Sequence, residues 1–405
     1  MKIAVIGGGA SGMMCAWLLA DRHEVHVFER ERVLGGNIRT LGRNVDTAAA
    51  TALAAAGLHL DAGVIEFSRD RFHGLHGLFS ALGVDLVDAP GCSSLCIDGR
   101  GEWTSPGVLD ETHATWTQRA RWALRSLPGA LGLLRLRRNA RGELAGRSLG
   151  EFLGRDAFSE WCRLLMVYAY SQPYADIDGI AAALAMPTLD SFLAPQRWTS
   201  VRGGVYRYIE RIVASRAIHV HTEARVRAAR SGDGVQLRLA SGEELRHDAL
   251  VIATTPDEVL GVLADPHEDE RRWFTPWQAN VATTVVHDDT GFHTRRRRSY
   301  YSEFDLLKGP GSAGYNAYLN RLCEIPRSHG RHYFLALGIE PEIAEGRVVH
   351  RQRHRTPRYS PEAVATRDAI KAMSGARHTF FAGAWLYDGL HEGAWRSAQA
   401  AAARL

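Results

Sequence analysis

Lysine is nearly missing from this 405-residue chain: it occurs only at positions 2, 308 and 371, so arginine supplies 46 of the 49 basic residues. Chemistry that needs a lysine amine therefore has little to draw on, and Lys308, beside a glycine-rich turn, reads as a solvent-exposed turn residue. Cysteine is also scarce. Five are scattered at positions 15, 92, 96, 162 and 323, an odd number that excludes a disulfide framework. The one close pair, Cys92 and Cys96, has neither zinc-knuckle nor redox-motif spacing, so no metal site is expected. No apolar run reaches the roughly eighteen residues of a membrane span, and Met1-Lys2-Ile3 leads straight into a strand-like segment without a signal-peptide pattern. A cytoplasmic protein without a transmembrane segment is the expectation, the chain ending at Leu405 within its last helix. Repeats and low-complexity linkers are absent. The arginine run at 295–298 lacks interleaved aromatics and follows Gly291, which reads as a solvated loop and not a nucleic-acid site.

What is present begins at the first residue. Lys2–Ile6 reads as a short buried strand, followed by Gly7-Gly8-Gly9-Ala10-Ser11-Gly12 and an apolar helical run at 13–20. Gly7 permits the strand-to-helix bend, Gly9 lets backbone approach a pyrophosphate, and Gly12 lets the helix pack closely on the strand. A second strand, Glu24–Phe28, ends in Glu29, 17 residues past Gly12, where an acid suits the hydroxyls of a ribose. This order of strand, glycines, helix, strand and acid predicts a dinucleotide site.

The residues that follow carry a resemblance. Gly35-Gly36-Asn37-Ile38-Arg39-Thr40 comes just after the ribose acid. Further on stand Leu60-Asp61-Ala62-Gly63-Val64-Ile65, Trp198 to Gly204, Asp248 to Thr254, and an ending of Phe381-Ala382-Gly383-Ala384-Trp385 with Gly389-Leu390-His391-Glu392-Gly393. Together these segments resemble the flavin-containing amine oxidase superfamily over nearly the whole chain, and most closely a bacterial subgroup of predicted NAD/FAD-binding oxidoreductases. The resemblance implies noncovalent FAD, since no cysteine lies in the closing motif. It implies an α/β fold in which a Rossmann-type FAD-binding domain (1–70, 198–258, 375–405) is interleaved with a substrate domain (71–197, 259–374) built from an antiparallel sheet and a helical cap. The cofactor-binding set it implies is Gly7, Gly9, Ala10, Ser11, Gly12, Glu29, Arg30, Gly35, Gly36, Asn37, Gly63, Val64, Val226, Ala253, Thr254, Gly383, Ala384, Glu392, Gly393 and Ala394. The superfamily's usual acid after the closing glycine is absent, because Ala384 and Trp385 follow Gly383. Glu392 or backbone groups are then expected to hold the ribityl end, and the N–H groups of Gly393 and Ala394 to face the reduced ring.

Strand-like alternation at 278–352 predicts the antiparallel sheet, and a helix- and arginine-rich stretch at 111–192 precedes it. The helix around Trp116, Trp122, Leu131 and Leu134, interrupted at Pro128, reads as a cap over the substrate cavity, with an interfacial anchor as the alternative. A second glycine pattern, Gly309 to Gly314, follows a poor strand and reads as a chance match on a hairpin. With no docking site for a nicotinamide, the substrate itself is expected to reduce the flavin. Hydride removal needs a C–H bond held over the flavin in a dry pocket, so aromatic positioning residues are sought. The candidates are Trp385, Tyr387, Tyr170 and Tyr318, with His391 at the mouth of the last helix and Asn316 as a polar substrate contact. The expected activity is oxidation of a C–N or C–C bond of a partly apolar small molecule, with dioxygen or a carrier reoxidising the flavin. The alternatives are a desaturase or isomerase of a lipid-like or polyketide substrate, and a non-catalytic flavin-binding protein. The oligomeric state is not legible.

Overall fold

The computed structural model describes residues 1–89, 91–98, 101–194, 196–296 and 300–405. Five parallel strands form its first layer, in the order Ile218–His221, Glu24–Phe28, Lys2–Ile6, Ala249–Ile252 and Thr379–Phe381. Continuous apolar runs such as Ile3-Ala4-Val5-Ile6 and Ala249-Leu250-Val251-Ile252 suit strands covered on both faces, and these residues are almost completely buried. The helices Ala10–Leu19 and His391–Ala402 pack against each other beside this sheet, so the two ends of the chain meet there. A three-stranded antiparallel meander, Val226–Ser231, Gly234–Leu239 and Glu244–His247, completes this half.

The second half is built on a seven-stranded sheet. Ala279–His287 lies between Val348–Pro357 and Phe334–Leu337, and the order continues through Ala313–Tyr318 and Phe304–Lys308 to Ser93–Ile97 and Gly101–Thr104. The predicted antiparallel region thus gains two strands from far upstream, and one of them, Ser93–Ile97, pairs in parallel with Phe304–Lys308. The segment at 304–308, a poor strand by sequence, is a full ladder partner of Ala313–Tyr318, and the glycine pattern between them is a hairpin turn closed by Gly309 N–H donating to the Ser312 carbonyl. The small sheet Glu66–Ser68, Trp198–Val201 and Leu86–Ala89 is likewise antiparallel.

Helices Trp116–Asn139, Ala157–Tyr170 and Ala182–Leu193 pack against one another as a third layer. The first corrects two expectations. It runs continuously through Pro128, because a proline on an exposed flank forfeits one backbone hydrogen bond while the inner face stays packed. Nor does it cap the substrate cavity, since none of its residues lines that space. Of the arginine run, Arg295 closes a short helix, Gly291–Arg295, and Arg296 ion-pairs with Glu342; Arg297 and Arg298 lie outside the described residues.

Candidate active site

A cavity of about 1100 Å³ lies between the parallel sheet and the seven-stranded sheet. Its inner end is made by the two glycine turns. Gly7 has φ of +105°, and a Cβ there would lie 2.8 Å from the Ala253 carbonyl oxygen; a Cβ on Gly12 would lie 1.9 Å from the Gly7 oxygen. Gly12 therefore acts behind the cavity, letting helix Ala10–Leu19 sit directly on the first turn. Gly9 is the N-cap residue of that helix and has no side-chain capping bond, which leaves first-turn N–H groups for a ligand. Gly9 bridges to Gly35, and a Cβ on Gly36 would come within 3.1 Å of the Gly9 Cα, so bare backbone forms one wall of the groove. Glu29, buried beside it, accepts N–H groups from Gly8 (2.7 Å) and Glu31 (2.9 Å), which aims its carboxylate at the rim of the same groove. Arg30, ion-paired with Glu258, borders that end with Val226, Ala253 and Thr254. The glycine cradle, the helix N-terminus and the oriented acid together fit a dinucleotide.

At the other end the walls turn aromatic. Gly63, Val64, Gly383, Ala384, Ala394, Trp385, Tyr170 and His391 line the cavity, joined by Phe67, Phe72, Tyr168, Phe192, Trp198 and Tyr315. Trp385 donates its indole N–H to the Thr254 carbonyl (3.3 Å) and packs edge-on against Trp277 at 5.3 Å. Tyr170 donates to the Asp388 carbonyl (3.1 Å), so its hydroxyl is held by the closing segment. His391 sits edge-on to Phe67 at 5.1 Å, and burial pushes its pKa down to about 4, keeping the ring neutral at physiological pH.

Several candidates lie elsewhere. Asn316 and Tyr318 are on the opposite face of strand Ala313–Tyr318 from Tyr315, because side chains alternate along a strand; Asn316 Oδ1 bonds His287 Nε2 (2.9 Å) and the Tyr318 hydroxyl bonds His332 Nδ1 (2.8 Å). The cavity-facing residue of that strand is Tyr315. Tyr387 turns outward beneath the Arg396 guanidinium, 4.5 Å from its ring. Glu392 accepts the N–H groups of Gly74 (3.0 Å) and Leu75 (2.9 Å), capping helix His73–Ala81 instead of reaching a ribityl chain. The Asp388 carboxylate takes the N–H groups of Leu390 (2.8 Å) and Gly393 (3.0 Å), and Ala394 N–H bonds the Leu390 carbonyl, so the two backbone donors expected at the ring are satisfied within the protein. Asn37 borders the cavity but spends its amide on the Arg355 backbone, tying the second glycine turn to strand Val348–Pro357. None of the three lysines lines the cavity; Lys308 pairs with Glu160 at 2.5 Å on another face.

The structure also brings in groups that the sequence reading passed over. Glu66 lines the aromatic end and accepts the Tyr168 hydroxyl at 2.6 Å; burial pushes its pKa up to about 8, the hydroxyl contact working against that rise. Its signal was an acid in an otherwise apolar stretch, Gly63-Val64-Ile65-Glu66-Phe67. Thr284 and His354, from the two longest strands of the seven-stranded sheet, both donate to the Ala62 carbonyl (2.5 and 2.8 Å) and pin the Ala62–Gly63 backbone at the cavity wall. No local pattern announces these two, since they act across more than two hundred residues of chain.

A parallel sheet with a glycine cradle at its edge, a second sheet facing it and one continuous cavity between them define a cofactor-dependent enzyme. The chain belongs to the flavin-containing amine oxidoreductase family, whose model matches residues 10–287, and it is a flavin-dependent oxidoreductase. Among curated proteins none matches the chain. Solved structures of similar fold include putrescine oxidase bound to putrescine, with TM-score 0.69, 14% identity, and coverage of 100% of this chain and 98% of that one. A CLA-producing fatty acid isomerase from P. acnes matches with TM-score 0.70, 15% identity and coverage of 98% and 96%. Cyclohexylamine oxidase from Brevibacterium oxydans matches with TM-score 0.67, 14% identity and coverage of 99% and 98%. At these identities the likeness is one of fold.

Proposed function

We propose that this protein is an FAD-dependent oxidoreductase that takes hydride from a C–N or C–C bond of a partly apolar small molecule, with noncovalent cofactor and dioxygen or a carrier as the final acceptor. One observation carries the reading: the aromatic end of the cavity continues directly from the dinucleotide groove and, among the described residues, holds one half-buried acid, Glu66, in its wall. Bound FAD would supply the two-electron acceptor, held by Gly7, Gly9, Ala10, Ser11, Glu29, Gly35, Gly36, Val226, Ala253 and Thr254 at one end and by Gly63, Val64, Gly383 and Ala384 at the other. Noncovalent binding is supported by the cysteines, none of which lines the cavity. Tyr168, Phe192, Trp198 and Tyr315 exclude water and hold an apolar body, and His391 stays neutral beside them. Glu66, protonated near neutral pH, donates to an amine or hydroxyl, or releases its proton and pairs with an ammonium group. In the ammonium case the Glu66 proton leaves to solvent on binding, and the carboxylate then takes a proton from the substrate nitrogen so that its lone pair is free when hydride leaves; Tyr168 keeps the carboxyl pointed into the cavity.

The cavity's lack of a lysine favours a second reading, desaturation or isomerisation of a lipid-like substrate, in which no amine is handled. An anaerobic absorbance titration separates the possibilities. NADPH or NADH should leave the bound flavin oxidised, and rapid bleaching by either would refute substrate as the reductant. Bleaching by apolar amines supports oxidation of a C–N bond, and bleaching by unsaturated acyl compounds supports the second reading.

A further inference from the structure

Helix Trp116–Asn139 treats its two faces differently. On the inner face Gly132 and Leu136 are buried, Phe158 fills the space beside Gly132, the Trp122 indole donates to the Thr104 carbonyl (2.6 Å), and the Trp103 indole donates to the Ser126 hydroxyl (2.9 Å). On the outer face Trp116, Leu124, Leu127, Leu131 and Leu134 are 56–79% exposed. They are five of the eight large hydrophobic side chains exposed among the described residues. At about 100° per residue they fall within roughly 80° of one another, forming a stripe about 27 Å long at 1.5 Å rise per residue. Isolated exposed leucines need no explanation, but an aligned stripe marks a contact surface.

Charge identifies what the stripe meets. The helix carries six arginines, at 119, 121, 125, 135, 137 and 138, and no acidic residue. Arg119, Arg135 and Arg137 pair with Asp110 (2.8 Å), Asp156 (3.0 Å) and Asp190 (2.7 Å). Arg121, Arg125 and Arg138 are exposed and have no acidic partner among the described residues. On the helical wheel Arg121 and Arg135 border one side of the stripe and Arg119 and Arg137 the other, Arg138 lies in line with the stripe at its C-terminal end, and Arg125 lies farther round, on the side of Gly132 and Leu136. A second copy docked on this face would set arginine against arginine. An anionic bilayer offers both complements: hydrocarbon for the stripe and phosphate for its flanks.

We propose that this helix is a docking surface for an anionic lipid membrane, lying in the headgroup plane with Trp116 and the four leucines inserted. It does not span, for no helix among the described residues is long and apolar enough to cross a membrane. Docking concentrates the protein where partly apolar substrates partition.

The test is co-sedimentation of the flavin-loaded protein with vesicles of phosphatidylcholine alone and of equal parts phosphatidylcholine and phosphatidylglycerol. Binding is expected to the anionic vesicles and to weaken with salt. The double variant Leu127→Gln/Leu131→Gln should lose roughly tenfold or more in partitioning. Arg121→Gln/Arg138→Gln should lose roughly fivefold per arginine, on anionic vesicles only. Because these side chains are exposed, flavin content and melting temperature should match the parent, which separates lost docking from misfolding. Failure to bind anionic vesicles overturns the proposal, as does binding unchanged by the leucine substitutions. A concentration-dependent dimer that Leu127→Gln/Leu131→Gln abolishes, without vesicle binding, would assign the stripe to self-association instead.

Discussion

Replacing Glu66 by glutamine keeps the shape of the side chain and removes its proton chemistry. With its pKa raised by burial to about 8, the carboxyl is roughly nine-tenths protonated at pH 7. An amine arriving as ammonium must displace that proton to form a charge pair, so its capture releases one proton. The kcat/KM for an amine should accordingly rise about tenfold per pH unit up to pH 8 and then level off. In Glu66→Gln this limb should vanish. At pH 8 the lost hydrogen bond to a charged group, about 1.5–3 kcal/mol, should lower kcat/KM roughly 10- to 150-fold. Reductants without an ionisable group should show no such limb and a smaller loss. Tyr168, which donates to Glu66 at 2.6 Å, can donate equally to an amide oxygen, so the local packing is preserved and flavin content should not change. The assay is anaerobic stopped-flow reduction of the bound flavin across pH for both proteins with the same amines. Persistence of the limb in Glu66→Gln, or unchanged amine kinetics, would refute a role for this carboxyl in substrate capture.

Gly12→Ala places a methyl group 1.9 Å from a backbone oxygen that cannot swing away, so a loss of about 3 kcal/mol or more and purification without flavin are expected from denaturant melts and absorbance spectra. Glu392→Ala removes two hydrogen bonds to the N-terminus of helix His73–Ala81. A cost of about 2 kcal/mol lowers the melting temperature by about 2 °C if unfolding entropy is about 2.1 cal/mol/K per residue, and calorimetry should find flavin binding intact. The flavin-free protein should be most stable in mildly acidic buffer. Asp61, Glu66 and Glu303 are raised by burial to about 7, 8 and 7, so the folded state binds more protons than the unfolded chain from about pH 4.5 upward. Each then contributes stability that falls by up to about 1.4 kcal/mol per pH unit until the folded value is passed. Neutral His247, His354 and His391, lowered to about 4, act oppositely, and their contribution is lost as pH drops from about 6.5 to 4. Urea melts that show no decline between pH 6.5 and 8 would contradict this assignment.

The dinucleotide end was legible because its requirements are local. A turn that needs φ of +105° at Gly7, a helix that must touch that turn at Gly12, and an acid closing the next strand are all set by spacing within thirty residues. The same locality made the antiparallel sheet readable from alternation, but not its neighbours: Ser93–Ile97 reaches Phe304–Lys308 only through tertiary pairing. At the ring end the decisions were made by orientation. Whether Tyr315 or Asn316 faces the cavity turns on a one-residue register, which packing of the whole sheet selects. Glu392 became a helix cap because the final helix meets helix His73–Ala81, a meeting that no nearby residue announces, whereas Asp388 caps the start of the final helix itself. Spacing determined a dinucleotide-binding fold, and the resemblance of the later motifs implied a flavin. The acid in the substrate wall, the outward stripe of helix Trp116–Asn139 and the side chains facing the cavity were decided only when distant strands and helices were packed together, since burial and facing are properties of neighbours far away in sequence.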